Sequence, residues 1–204
     1  MAFISLLLLA ILFSTIHISK LYAKGVTNRQ INQVGRELVD TIRRDFLVSD
    51  AMRITSYIAD GHGRICLGNV SYAWNTALTL QGSGVIKASD GSTPVVFSRV
   101  ADAGGAFCML PYTQTLPVAD TTALLSTTGD GRSLAIYGLT LTKLTPDNRN
   151  DGLYDLDIVL GTNDPSEIDT EAQQCKPPAD HSSNFEYCSV VDLHIIVRAG
   201  GSSR

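Results

Sequence analysis

The stretch Phe3-Ile-Ser-Leu-Leu-Leu-Leu-Ala-Ile-Leu-Phe-Ser-Thr-Ile-His-Ile-Ser19 carries no formal charge apart from its histidine, and it runs without a Gly or Pro break into Lys20 and a polar, periodic segment beyond. Fourteen of the nineteen residues before Lys20 are apolar. As a helix rising about 1.5 Å per residue these nineteen residues reach about 28 Å, close to the hydrocarbon thickness of a bilayer. The segment is long enough to cross a membrane.

Past Lys20 the pattern becomes one-sided. Ile31, Val34, Leu38, Ile42 and Phe46 recur at three- and four-residue spacing, which marks one apolar helix face that packs on something. Arg29, Arg36, Glu37, Asp40, Arg43, Arg44 and Asp45 lie between them; their mixed signs suit an outer face, with Arg36 and Asp40 at i,i+4. Gly25 is the weak point, costing about 1 kcal/mol relative to alanine inside a helix. The reading is a single helix to about residue 52, some 75 Å long. Its apolar half spans residues 1–24 and its amphipathic half 25–55, with a head domain at 56–204.

A secretory signal peptide, with its apolar region at residues 4–13 and cleavage after Ala23, is the competing reading. It calls for positive charge before the apolar run, whereas Lys20, Lys24 and Arg29 follow it. Those three cations suit lipid headgroups at the membrane edge. A formal charge of -4 and a pI near 5.5 give no electrostatic case for nucleic acid as a main partner. With 18% charged residues and no internal repeat, the remaining 150 or so residues are enough for one folded domain.

From about residue 57 short apolar runs alternate with Gly, Asp, Asn and Pro, the pattern of a β-rich domain. Candidate strands are 64–67, 70–74, 77–80, 94–100, 106–110, 132–144, 154–160 and 189–198. In the last, Val191, Leu193, Ile195 and Val197 share one face while Asp192, His194 and Ile196 take the other. An antiparallel sheet with one apolar face needs a cover, and the amphipathic half of the helix supplies it. The expected fold class is α+β, a long helix packed on an antiparallel sheet.

Four cysteines, Cys66, Cys108, Cys175 and Cys188, match no paired zinc-ligand spacing. Three disulfide connectivities are open. The segment from Cys175 to Cys188 is short, polar and turn-rich, which favours that pair and leaves Cys66 with Cys108. Disulfides fit a domain outside the cytoplasm.

Taken together, the apolar helix continuing into an amphipathic half, the β-rich head and the cysteine-closed loop before a final strand resemble type IV pilins and pilin-like pseudopilins. Three patches sharpen the resemblance: Asn32-Gln-Val-Gly-Arg-Glu-Leu-Val-Asp-Thr-Ile-Arg-Arg-Asp45, Leu156-Asp-Ile-Val-Leu-Gly-Thr-Asn-Asp164, and the 175–188 loop with Lys176-Pro-Pro178 and Tyr187. It implies a pilin-like roll and a structural subunit of a pilus-like filament serving adhesion, twitching motility or DNA uptake. Such a subunit is held in the cytoplasmic membrane before assembly and displayed at the cell surface afterwards. Its partners are further copies of itself, the membrane and the pilus assembly machinery; what surface it binds is left open. The polymerising residues would be Phe3, Ile4, Leu6, Leu7, Leu8, Leu9, Ile11, Leu12, Phe13 and Ile16, and Gly25 would let the helix stretch locally. Family members carry a glycine-led cleavage site and a glutamate at the fifth mature position, where this sequence has Ser5. Set against the resemblance, either the chain as given starts inside the family's helix, about ten residues late, or it is a variant lacking that glutamate; the first is the preferred expectation.

Catalytic signatures are not apparent. His17, His62, His181 and His194 are scattered, and no nucleophile elbow, zinc-protease or phosphate-loop motif occurs, so neither an enzyme nor a cofactor is expected. Asp147-Asn-Arg-Asn-Asp151-Gly-Leu-Tyr-Asp155 partly imitates a calcium loop, but Arg149 occupies a ligand position and Ile158 stands where the closing glutamate belongs. A polar turn explains it better. Two other roles compete with the filament subunit: a monomeric membrane-anchored binding module, and a sparse minor pilin.

Overall fold

In the computed structural model the apolar and amphipathic halves form one helix, α1 (Ala2–Leu47), with no break at Gly25. The structure describes residues 2–109, 113–117, 121–126, 133–145, 152–164, 166–169, 172–177 and 186–200. The helix ends earlier than the expected residue 52. Asp50 stops the chain there, its carboxylate accepting from the Met52 amide at 3.0 Å to cap a short 3-10 turn, Ala51–Arg53.

Five strands follow as an antiparallel meander, β1 (Thr55–Ala59), β2 (His62–Cys66), β3 (Val70–Asn75), β4 (Phe97–Ala101) and β5 (Thr121–Leu125), paired in sequence order. A helical turn, α2 (Ala77–Leu80), lies between β3 and β4. The longer strands β6 (Leu134–Lys143) and β7 (Gly152–Thr162) are followed by the small hairpin of β8 (Ile168–Asp169) and β9 (Gln174–Cys175), then by β10 (Val190–Ala199). β7 lies between β10 and β6 in a second antiparallel sheet. Thr76 bridges to Ile136 and links the two sheets.

One core joins helix and both sheets. Ile31, Leu38, Ile42 and Phe46 of α1 meet Ile65, Tyr72, Trp74 and Phe97 from the first sheet and Leu139, Leu156, Ile158 and Leu160 from the second. This is the expected α+β architecture. Gly63 is required by close approach, because a Cβ there would sit 2.2 Å from the Trp74 ring opposite it. A smaller core on the far side of β3 and β4 holds Ile86, Val95, Val100, Phe107 and Leu116 under the connecting loops. Asn75 organises that side, donating to the carbonyls of Ile86 and Val95 and accepting from the amides of Val85 and Ile86.

Several expected elements differ. Residues 77–80 are helical, because four residues of alternating polarity cannot distinguish a period of 2 from one of 3.6, and the Leu80 amide returns to the Thr76 carbonyl at 3.0 Å. Residues 106–108 belong to a 3-10 segment, Ala103–Cys108, rather than a strand, since Gly104 and Gly105 adopt φ of 81° and 74° and turn the chain. Within 94–100 the strand begins only at Phe97. β1 and β5 were not anticipated.

Candidate functional site: the exposed helix and its seat on the head

From Phe3 to Val26 α1 is uncovered over nearly its whole surface. All ten residues expected to drive assembly are exposed, from Ile16 at 46% to Phe3 at 78%: Phe3, Ile4, Leu6, Leu7, Leu8, Leu9, Ile11, Leu12, Phe13 and Ile16. Burying each such side chain contributes about 2 kcal/mol. Ten together outweigh the roughly 5–15 kcal/mol that stabilises a typical domain, so this surface calls for lipid or a protein cover. Two of its hydroxyls are satisfied within the helix: Ser14 donates to the Ala10 carbonyl at 2.9 Å, and Thr15 to the Leu12 carbonyl at 2.9 Å. Such back-bonding removes the cost of placing hydroxyls among apolar neighbours. The helix is apolar and long enough to cross a membrane.

The first buried side chain is Thr27, at 2% exposure, whose hydroxyl donates to the Ala23 carbonyl. From there the inner face of α1 is seated on the head. Ile31, Leu38, Ile42 and Phe46 are buried and Val34 is half-buried, so the residues expected to pack on the head do so. The Phe46 ring lies 5.7 Å from that of Tyr154, which donates to the Ala51 carbonyl. Gly35 lets β10 come close; a Cβ would stand 3.0 Å from Leu193 Cδ1.

Asp45 corrects the expected polar face. It is buried against the first sheet, where Arg99 donates to both of its oxygens, from Nε at 2.6 Å and from Nη2 at 3.0 Å, and Tyr72 donates its hydroxyl. Burial first, then the Asp45 carboxylate, raises the Tyr72 phenol well above its ordinary range, while the hydrogen bond to Asp45 holds Arg99 more firmly protonated. The group fixes the rotation of α1 against β3 and β4. A signal was present in the sequence: Asp45 falls three residues after Ile42 and seven after Leu38, on the packing stripe itself. Arg36 and Asp40 stay on the outer face without pairing, and the Asp40 carbonyl accepts from Arg44 Nε.

At the other end of the seat, the C-terminal loop straps the helix. Lys20 Nζ is 3.4 Å from Glu186, Lys24 donates to the Cys188 carbonyl, and Ser189 donates to Asn28 Oδ1 at 2.8 Å. The two lysines expected at lipid headgroups thus reach the head as well. Cys175 and Cys188 are joined with Cα atoms 5.9 Å apart, and Cys66 and Cys108 with Cα atoms 6.1 Å apart, the latter tying β2 to the 3-10 segment. Two disulfides fit an oxidising compartment.

The calcium-like stretch divides. Asp147 and Asp151 lie outside the described residues, while Asp155 sits in β7 with Oδ1 2.7 Å from His194 Nε2. Among the described residues no three His, Cys, Asp or Glu side chains are arranged to hold a metal ion. His17, His62 and His194 fall on α1, β2 and β10, and His181 lies outside the described residues. A cleft of about 290 Å³ beside β5 is lined by Ser89, Thr93, Ser98 and Thr121 with Pro94 and Leu116, and among the described residues no charged group lines it. No protein-family model matches the chain, and neither a curated protein nor a solved structure matches it significantly.

Proposed function

We propose that this chain is a structural subunit of a type IV pilus-like filament, inserted in the membrane by the apolar half of α1 and polymerising through that half when it leaves the lipid. The observation that carries the reading is the exposure of every residue from Phe3 to Tyr22 on a helix whose other half is seated in the head core. A helix apolar all round rests only in lipid or among similar helices. Stacking helices from successive copies would bury it, and contact between two different surfaces does not close, so it propagates an open helical polymer. The seat at Asp45 and the strap at Lys20 and Lys24 make head and helix move as one body during that transfer. The disulfides suit display outside the cell, on a pilus surface where the head meets its targets.

A monomeric membrane-anchored module uses the same helix as an anchor only, and a minor pilin uses it sparsely. Immunogold electron microscopy of the sheared surface fraction separates the three. Filaments labelled along their length support the proposal. Labelling confined to tips or rare positions assigns a minor subunit, and label on membranes without filaments overturns polymerisation.

A further inference from the structure

The smaller core on the far side of β3 and β4 opens beside the edge strand β5, and the opening is the cleft of about 290 Å³. Ser98 of β4, paired with Ala123 of β5, lies at its floor. Ser98 is 3% exposed, and its hydroxyl makes no hydrogen bond among the described residues. A hydroxyl withdrawn from water without a partner is costly. Ser98 lines the cleft, so a group bound there is the partner within its reach. Other hydroxyls stand around it. Thr93 donates to Asp90, and Thr121 donates to the Pro117 carbonyl at 2.7 Å, so each has its proton engaged and keeps only acceptor lone pairs for a further partner. Between the hydroxyls the walls are apolar: Pro94, Val95, Leu116 and Pro117.

These walls are tied in place. The Lys87 amide donates to the Gln114 carbonyl, the Leu116 amide donates back to the Lys87 carbonyl, and Asn75 donates to the carbonyls of Ile86 and Val95. A cleft formed in advance costs little ordering when it is filled. Its chemistry selects what fills it. No charged side chain lines it among the described residues, so nothing there offsets the desolvation of an ion. Asp90, just outside, is engaged by the amides of Ser92 and Thr93 and by the Thr93 hydroxyl. Thr93 and Thr121 call for a ligand that donates, Ser98 takes either role, and the apolar walls suit C–H surface. A small neutral ring bearing several hydroxyls meets all three demands, and the volume, at the low end for ligand pockets, admits one ring rather than a chain.

We propose that this cleft binds a single neutral pyranose sugar, either free or as the end residue of a glycan. Sugar hydroxyls donate to Thr93 and Thr121, another meets Ser98 at the floor, and a C–H face of the ring lies on Pro94 and Leu116. The cleft is turned away from α1, so it is open whether the helix lies in lipid or among other copies, and the inference does not depend on polymerisation.

Saturation-transfer difference NMR tests it on the full chain in micelles of a zwitterionic detergent without a sugar headgroup. The probes are the methyl glycosides of glucose, galactose, mannose and N-acetylglucosamine, the matching free sugars, and glucuronate as the charged control. At least one neutral sugar should give a saturable signal, and glucuronate none. A stronger signal from a methyl glycoside than from its free sugar assigns the end of a glycan; the reverse assigns a free sugar. Ser98→Val should weaken binding about tenfold through the lost hydrogen bond. Because a new methyl at the floor also touches the core, Ala123→Leu serves as the second variant: Ala123 is exposed, so the larger side chain blocks the cleft without entering the core. It should abolish the signal at an unchanged melting temperature. No saturable signal from any neutral probe, equal binding of glucuronate, or binding by a folded Ala123→Leu chain as strong as by wild type overturns the proposal.

Discussion

Asp45 joins the helix to the first sheet by accepting three hydrogen bonds, two from Arg99 and one from Tyr72. Asp45→Ala leaves Arg99 and Tyr72 without their acceptor at a mostly buried site. Removing one partner of a buried pair costs 3–5 kcal/mol; partial exposure of Arg99 puts this case at the low end, about 3 kcal/mol. For a chain of this size that lowers the melting temperature by about 9 °C. Tyr72→Phe removes one hydrogen bond but leaves the ion pair, and should cost about 1–2 kcal/mol. Thermal denaturation of both variants checks the order; equal losses would mean that the carboxylate interacts with Tyr72 alone.

At the scale of elements, the strap and the seat act at opposite ends of the amphipathic half. The Cys175 to Cys188 bridge closes a short loop, and its removal by Cys175→Ser with Cys188→Ser should cost about 3 kcal/mol in the chain-entropy model and free the loop from Lys20 and Lys24. Differential scanning calorimetry measures the loss, and faster amide exchange near Lys24 reports the release. A chain beginning at Thr27 keeps every buried residue of α1 and should sediment as a soluble monomer; aggregation would mean that the head needs the apolar half as cover. The long periodic elements were legible in sequence: the i,i+3,i+4 stripe of α1 and the strict alternation of β10 each specify a face. Among the short elements, β2 and β3 fell near their expected places, but others were not legible. β1 has residues exposed on both faces, so alternation carries no signal there; the Asp60-Gly61 turn, with Gly61 at φ 84°, was the clue that a hairpin precedes β2. Asp45 was misplaced because its charge outweighed its position in the stripe. β7 and β10 pair across some forty residues, and no local pattern announces that register.

For the whole molecule, two regimes meet near Gly25 and Thr27: an uncovered apolar rod, and a head braced by two disulfides whose core includes the rest of the same helix. The rod's surface is stable only when something apolar surrounds it, and the proposal assigns that place first to lipid and then to other copies. An arginine in mid-rod separates these uses. Leu9→Arg leaves the head untouched, since Leu9 contributes nothing to the core, but places a charge where it must be buried among apolar helices at a cost of several kcal/mol, about 3 or more if unpaired. Electron microscopy of cells carrying Leu9→Arg is the most direct measurement. If the apolar half is the polymerising element, filaments disappear while the folded, disulfide-bonded head persists in the membrane fraction; normal filaments from the Leu9→Arg chain would show that this half anchors the protein and does not assemble it.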